Sequence, residues 1–168
     1  MDRNTIIAEA ERTTKELLNS ISFFTQEQFN EVPFPGSWTP GQVAEHVFKS
    51  ESGIPKVFTT AIQPTTRDPE EKAPEIRSIF LDFSIKMQSP DFILPSSKPK
   101  DRATLLAGLE KNRQEISCLL GTLDLTATCT SFPLPQMGEL TRYEWATFID
   151  CHARRHIHQL KNIREKLH

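Results

Sequence analysis

The sequence has few of the features that mark membrane, secreted or nucleic-acid-binding proteins. Within its 168 residues, no stretch approaches the ~20 consecutive apolar residues that a membrane-spanning helix needs. Charged residues are spread through the first twelve positions, which excludes the apolar segment of a secretory signal. The 20 Lys and Arg residues are balanced by 22 Asp and Glu residues, so bulk charge gives no attraction to nucleic acid or an anionic membrane. We therefore expect a cytoplasmic protein that binds neither nucleic acid nor a membrane.

Cysteine is also scarce. The three cysteines, Cys118, Cys129 and Cys151, are odd in number and form no CxxC pair. This pattern indicates neither a disulfide framework nor a thiolate zinc site, so we expect the cysteines to be small buried residues in a reducing compartment.

Apolar residues at 37% and charged residues at 25% are typical of an ordinary globular protein. The length predicts a single domain over residues 1–168, since domains usually run ~100–200 residues.

Apolar residues recur every three or four positions in four segments, which is the spacing of one helix face. These segments cover residues 6–21, 43–61, 105–123 and 145–167. Thr39 before Pro40 is a typical helix start, and Thr141 followed by Glu144 has the capping-box pattern. No segment shows the alternation of apolar and polar residues that is typical of strands. The predicted class is therefore all-α, and the predicted architecture is a four-helix bundle.

Residues 63–100 are too rich in proline to form a bundle helix. Six prolines interrupt them, and only residues 75–86 leave room for a short helix. Loops longer than ~12–15 residues in compact domains are usually functional or mobile. We interpret residues 63–100 as a long crossover between helices 2 and 3, with the next helix starting near Asp101. Within the second helical segment, Pro55 predicts a kink.

Three of the five histidines lie on apolar helix faces. His152 and His156 are four residues apart, hence one turn apart on the apolar face of the last segment. Two imidazoles at this spacing can reach one ion, with metal–nitrogen bonds of about 2.0–2.1 Å for zinc. His46 lies on the apolar face of the second segment and could supply a third nitrogen from across the bundle. The pattern predicts a metal site at His46, His152 and His156; two histidines at this spacing can also simply pack in a core.

Three histidines without a fourth protein ligand are typical of catalytic sites, because water or substrate completes the coordination. A divalent ion in such a site acidifies the water that binds to it and polarises substrates as a Lewis acid. We expect zinc or nickel, with iron and manganese as further candidates, since the ligand type alone does not determine the ion.

Other polar residues near these faces have weaker claims to the site. Glu45 and Asp150 could each add a carboxylate, but each neighbours an inward residue and is expected to point sideways. Asn112 and Gln159 could serve as hydrogen-bond partners of the ligands. His158 follows a ligand histidine by two residues, about 200° around the helix, and is expected to face solvent.

Residues 38–47, WTPGQVAEHV, resemble the W-[ST]-P-x-[QE]-h-x-x-H-h start of the second helix in the DinB-like (YfiT-like) superfamily of metal-dependent enzymes. Residues 138–160, including HxxxH, resemble the last helix of that family, and the likeness spans nearly the whole chain. It implies a four-helix bundle with a long connection between helices 2 and 3. It also implies a homodimer and a three-histidine metal site, carried by His46, His152 and His156. The longer, proline-rich residues 63–100 depart from the family pattern.

The resemblance and the open site leave three functions to distinguish. The first is a thiol S-transferase, as in characterised relatives, in which a low-molecular-weight thiol attacks a small electrophile. The second is a metal-dependent hydrolase of small molecules, although no serine nucleophile motif or carboxylate pair is evident. The third is a non-catalytic, stress-associated bundle in which the histidines are structural or no longer used.

Overall fold

The computed structural model describes residues 2–167 of the chain. Over this range it contains seven α-helices and three short strands. The helices are α1 (Arg3–Ser22), α2 (Gln26–Phe29), α3 (Pro40–Glu51), α4 (Ile54–Thr59), α5 (Ala73–Leu81), α6 (Arg102–Thr122) and α7 (Arg142–Arg164). The strands are β1 (Ile62–Gln63), β2 (Thr128–Leu134) and β3 (Gly138–Thr141), and a 3-10 helix spans Asp91–Ile93. Within residues 2–167, no helix is both long enough and apolar enough to cross a membrane.

Four of these helices, α1, α3, α6 and α7, form a bundle. The helices α1 and α3 each pack against both α6 and α7. The chain from α4 to α6 is long, and it contains α5, which packs along α7. The predicted four-helix bundle, with a long crossover between its second and third helices, is therefore confirmed.

Three bundle helices begin where the sequence predicts, because side chains cap their first turns. Thr39 and Thr141 each accept a hydrogen bond from the backbone N–H three residues later, in complete capping boxes. Asp101 caps α6 in the same way, with Oδ1 2.7 Å from the N–H of Thr104. The two threonine caps determine where α3 and α7 start, and these are the helices that carry the candidate histidines.

The second predicted helix is interrupted before Pro55. The helix α3 ends at Glu51, Ser52 and Gly53 keep helical dihedral angles, and α4 then begins at Ile54. Proline is tolerated in the first turn of a helix because an N–H there would have no helical partner. The predicted kink is therefore present as a break into two helices.

The predicted absence of strands is wrong. Strand β2 pairs antiparallel with β1 on one side and with β3 on the other, so that Cys129 lies opposite both Ile62 and Leu140. The sequence signal is weak because the pairing register is irregular between Cys129 and Leu134, and because Pro133 lies within β2. The bundle is thus accompanied by a small three-stranded sheet, which packs against α4 through β2.

Two clusters of buried apolar side chains meet along α7. The first contains apolar residues between 143 and 151, together with residues of the sheet, α4 and α5. The second contains residues between 153 and 163, together with the C-terminal half of α1, α2 and α3. His152 lies between the two clusters along α7, and His46 lies between Ala44 and Val47 of the second cluster. Apolar packing therefore encloses the candidate site.

Gly41, in the first turn of α3, tests how tightly the start of this helix is packed. A β-carbon there would lie 2.8 Å from the backbone carbonyl oxygen of Phe29 and 3.0 Å from Cγ of Lys100. The lysine side chain can shift, but the backbone of α2 cannot shift without loss of packing. We expect Gly41→Ala to lower the free energy of unfolding by about 1–3 kcal/mol, the usual cost of overpacking, as measured by urea denaturation.

Gly53→Ala is the matched control for this change. Gly53 has a φ of −86°, and no atom lies within 4 Å of its added β-carbon. The substitution is expected to leave stability unaltered or to raise it by up to about 1 kcal/mol, because alanine restricts the unfolded chain. Equal stabilities of the two variants would contradict the close approach of α3 to Phe29.

Candidate metal centre

Three histidine rings from two helices converge in the interior of the bundle. His46 comes from α3, and His152 and His156 come from successive turns of α7. Nε2 of His152 lies 3.2 Å from Nε2 of His46 and 3.1 Å from Nε2 of His156. The side chains are buried: His46 is 2% exposed, His152 is 6% exposed and His156 is 7% exposed. Among residues 2–167, they form the one group of His, Cys, Asp or Glu side chains close enough together to hold a metal ion.

Hydrogen bonds on the far side of two rings decide which nitrogen faces the centre. Nδ1 of His46 lies 3.0 Å from the carbonyl oxygen of Ile93, and a carbonyl oxygen can only accept. Nδ1 of His156 lies 2.9 Å from Oε1 of Gln159, which makes the contact predicted for it. Both rings therefore carry their proton on Nδ1 and present an unprotonated Nε2 to the centre.

The spacing of the Nε2 atoms suits a single metal ion. Metal–nitrogen bonds of about 2.0–2.1 Å in a tetrahedral arrangement place neighbouring nitrogens about 3.3–3.4 Å apart. Nε2 of His152 lies at 3.1 and 3.2 Å from the Nε2 atoms of His156 and His46, close to that spacing. Lone pairs this close repel each other unless a proton or a cation lies between them. A divalent ion would satisfy all three nitrogens at once, and zinc, nickel and iron accept such a set of neutral nitrogen donors.

Burial keeps the three imidazoles neutral. Desolvation lowers the pKa of His46, and it lowers the pKa of His156 to about 3. The pKa of His152 falls well below its ordinary value, mainly through desolvation and also through the two neighbouring rings. Neutral imidazole is the form that binds a metal ion. At pH 7 none of the three rings therefore carries a positive charge that would repel a cation.

Aromatic rings cover the histidines. The ring of Phe148, one turn before His152, stacks on it with centroids 5.3 Å apart. Phe80 of α5 approaches the same histidine edge-on at 6.2 Å, and Trp38 lies 5.2 Å from His46. These contacts account for the desolvation of the imidazoles. Helical spacing indicated the position of Phe148, whereas no sequence signal indicated Phe80.

Neither carboxylate considered as a further ligand belongs to the centre. Oε2 of Glu45 accepts a hydrogen bond from the N–H of Ser96 at 2.8 Å and pairs with Lys100 at 2.9 Å. Burial alone would raise the pKa of Glu45, but the hydrogen bonds from Lys100 and Ser96 outweigh burial and lower it. Asp150 accepts a hydrogen bond from the hydroxyl of Thr13 on α1. The prediction that both carboxylates point sideways is confirmed.

Two polar residues differ from their predicted roles. Asn112 is buried, but its Nδ2 has no hydrogen-bond partner within residues 2–167 and so does not orient a ligand histidine. His158 is half-buried rather than exposed, because its ring stacks on Phe83 with centroids 4.3 Å apart. Phe83 belongs to the crossover, which covers this face of α7. Helix periodicity alone could not show that cover.

A buried ion pair, which the sequence did not indicate, acts on the centre from α6. Arg113 binds Glu51 of α3 through two nitrogens, with Nε 2.7 Å from Oε2. Burial raises the pKa of Glu51, and the charge of Arg113 opposes that rise. The same guanidinium contributes to the low pKa of His152. Its positive charge therefore disfavours protonation of His152.

Most of the chain matches a known family. A family model described as the DinB superfamily matches residues 7–160. The chain belongs to the DinB superfamily. This finding confirms the family that residues 38–47 and the HxxxH pattern indicated.

Two similar proteins come from Bacillus subtilis. The uncharacterized protein YuaE of strain 168 is 24% identical over 153 residues, which cover 90% of this DinB-superfamily chain and 93% of YuaE. The solved structure of YfiT is 20% identical, with a TM-score of 0.66, and the match covers 97% of this chain and 86% of that chain. YfiT is described as a probable metal-dependent hydrolase with an unusual four-helix bundle topology. At this level of identity, the likeness establishes a shared fold.

The geometry predicts a metal content that depends on His46. We expect the metal-loaded protein to retain one divalent ion per chain after dialysis. His46→Ala is expected to lose it, because two imidazoles from one helix leave the ion without a ligand from across the bundle. Elemental analysis measures the content. His158→Ala is the control, since that ring lies on the same helix as two of the candidate ligands but stacks on Phe83. Retention of the ion by His46→Ala would contradict the three-histidine site.

The metal-free protein is predicted to lose stability in mild acid. Unfolded histidine has a pKa of about 6.5, whereas His156 in the fold has a pKa of about 3. Between these values the unfolded chain binds more protons, so the free energy of unfolding falls as the pH drops through this range. We expect His156→Gln to reduce that slope by up to about 1.4 kcal/mol per pH unit between pH ~6 and ~5, measured by urea unfolding. An unchanged slope would mean that His156 titrates as it does in the unfolded chain.

Proposed function

We propose that this protein is an enzyme in which His46, His152 and His156 hold one divalent metal ion that acts on a small molecule. The convergence of three Nε2 atoms in a buried, neutral cluster supports this most strongly. Structural zinc sites usually have four protein ligands, whereas three leave a position for water or substrate. No carboxylate or thiol among residues 2–167 completes the group.

When bound, the ion supplies Lewis acidity and lowers the pKa of a coordinated water or thiol. The residues of the chain have supporting roles. Ile93 and Gln159 hold His46 and His156 in the tautomer that binds a metal. Phe148 keeps bulk water from the rings and thereby strengthens electrostatic interactions within the site. Neutral imidazoles contribute no charge that would offset the charge of the ion.

The first reaction that we propose is hydrolysis of a small ester or amide. The description of YfiT as a probable metal-dependent hydrolase supports this choice. Hydrolysis also requires a proton for the leaving group. The carboxylates nearest in sequence to the ligands, Glu45, Glu51 and Asp150, are each engaged by other groups. We therefore expect substrates with good leaving groups, such as activated esters, to react fastest.

The second proposed reaction is transfer of a low-molecular-weight thiol to a small electrophile. The engagement of the nearby carboxylates supports it, because displacement of a halide needs no proton donor. In this reaction the thiol sulfur bonds to the electrophilic carbon while the leaving group departs with the bonding electrons. The thiol proton is released to solvent. The substrate in either reaction is a small molecule.

Several properties that follow from the family resemblance or from composition belong to the same proposal. We expect zinc or nickel as the ion, with iron and manganese as alternatives, and we expect a cytoplasmic homodimer whose chain forms a single domain. Light scattering coupled to size-exclusion chromatography measures the assembly. The competing function is a non-catalytic, stress-associated bundle. It predicts a folded protein without metal-dependent turnover.

Metal-dependent turnover tests the proposed enzyme. We expect the metal-loaded protein to hydrolyse activated esters, or to couple a thiol to an alkylating electrophile, at a rate that chelation abolishes and metal addition restores. His152→Ala is expected to lower that rate at least about 100-fold, since loss of a ligand exceeds the 10–100-fold effect of losing a partner of a ligand.

The two assays separate the two reactions. Hydrolysis that does not depend on added thiol supports the hydrolase, and a rate that requires the thiol supports the transferase. His158→Ala controls for general effects on α7 and should keep the wild-type rate. No activity in either assay from protein with a filled centre would contradict both enzymes and favour the non-catalytic bundle.

A further inference from the structure

Access to the buried histidines requires part of the protein to move. The three residues are at most 7% exposed, so neither an ion nor a substrate reaches their Nε2 atoms unless a covering segment is displaced. One covering segment is residues 82–98 of the crossover, which we name the strap. The structure describes the strap throughout, and its only regular element is the 3-10 helix Asp91–Ile93. The strap touches the centre directly, because the carbonyl of Ile93 accepts the hydrogen bond from His46.

The C-terminal half of the strap is held by several side chains of α3. Lys49 donates to the carbonyl oxygen of Leu94 at 2.7 Å, and the N–H of Ser96 donates to Glu45 at 2.8 Å. Gln42 donates to the carbonyl oxygen of Ser96 at 3.3 Å. With the bond from His46, four side chains of one helix hold residues 93–96. This end of the strap is anchored firmly.

The N-terminal end is attached to α7 by one guanidinium and by the stack of Phe83 on His158, whose ring centroids are 4.3 Å apart. Arg155 of α7 donates to the carbonyl oxygen of Asp82 at 2.9 Å through Nη1, and to that of Ile85 through Nη2. Arg155 directly precedes His156, so this contact lies on the helix that carries two of the histidines. Within the described chain, residues 86–90 make no hydrogen bond to the bundle. One side chain therefore provides the polar attachment of the first half of the strap to α7.

The strap is also poorly packed. Five of its six large apolar side chains are 40–64% exposed, and the sixth, Ile93, is half-buried; the five are Phe83, Ile85, Met87, Phe92 and Leu94. Displacing it therefore gives up little buried apolar surface, which is typical of segments that open at low free energy. The aromatic rings that cover the histidines, Phe80, Phe148 and Trp38, all pack against the two core clusters. Of these covering pieces, the strap is the one that can move without disturbing the bundle.

We propose that the strap is a gate to the histidine centre and that Arg155 is its latch. Release of the carbonyls of Asp82 and Ile85 frees the first half of the strap. Residues 93–96 of the strap, which stay bound to side chains of α3, act as the hinge. Because the hinge includes the carbonyl that orients His46, opening also loosens that ligand. The inference concerns access to the histidines and holds whether or not the centre turns over a substrate.

Two neighbouring arginines provide a matched pair of variants. Arg155→Met removes the donors of the latch but keeps an unbranched apolar stem. Arg154→Met removes a charge from the adjacent position, where the side chain is 43% exposed and pairs with Asp150 at 3.6 Å. Because the arginine is exposed and the separation is long, this ion pair contributes little to stability. The comparison therefore isolates the contact with the strap.

The metal-free protein gives a readout that depends on neither metal nor activity. Diethyl pyrocarbonate modifies accessible imidazoles, and mass spectrometry locates the modified residues. We expect His46 to react about tenfold faster in Arg155→Met than in the wild type, because a charge-assisted attachment is lost. Amide hydrogen exchange of Ser84 and Ile85, whose N–H groups donate to Asp82 within the strap, should accelerate by a similar factor, whereas the amides of α7 should keep their wild-type rates. Arg154→Met should match the wild type in both measurements.

The metal-loaded protein gives a second readout. We expect Arg155→Met to lose its ion to a chelator about tenfold faster than the wild type or Arg154→Met. Equal rates of modification and exchange in the two arginine variants would overturn the gate. Faster exchange throughout α7 would also overturn it, since Arg155 would then stabilise the helix rather than latch the strap. Failure to bind any ion would contradict the proposed function, while the metal-free measurements would still decide the gate.

Discussion

In the apolar interior, Nε2 of His152 lies 3.2 Å from Nε2 of His46 and 3.1 Å from Nε2 of His156, and the rest of the site serves to keep these three nitrogens together. Capping boxes at Thr39 and Thr141 set the starts of the two helices that bring them together. Contacts with Ile93 and Gln159 turn two lone pairs inward. These nitrogens repel each other unless a proton or a cation lies between them, so a bound ion would contribute directly to the stability of the fold.

Burial has two opposing consequences at this centre. It keeps the imidazoles neutral at pH 7 and thus ready for a metal ion, and the nearby charge of Arg113 adds to that effect at His152. It also separates the nitrogens from solvent, from which any ion or substrate must come. A loosely packed segment that both covers the site and orients His46 reconciles the two. Access and ligand geometry are then properties of the same residues.

Short-range patterns predicted the parts of the structure that depend on helix periodicity. The HxxxH spacing predicts that both histidines point from the same face of the last helix, because residues four apart in a helix lie one above the other. The position of His46, seven residues after the cap at Thr39, predicts its direction in the same way. Contacts made by the crossover could not be predicted in this way. The carbonyl of Ile93 and the ring of Phe80 reach the histidines from a segment whose prolines show only where a helix cannot form. The sheet was missed for a related reason, since the partners of β2 include a strand that is distant in the sequence.

X-ray absorption spectroscopy of the metal-loaded protein tests the three-histidine centre most directly, because it reports the ligand atoms and their distances from the ion. For zinc, we predict three imidazole nitrogens at about 2.0–2.1 Å. A spectrum with fewer than three imidazoles, or one dominated by thiolate sulfur or carboxylate oxygen, would contradict the account.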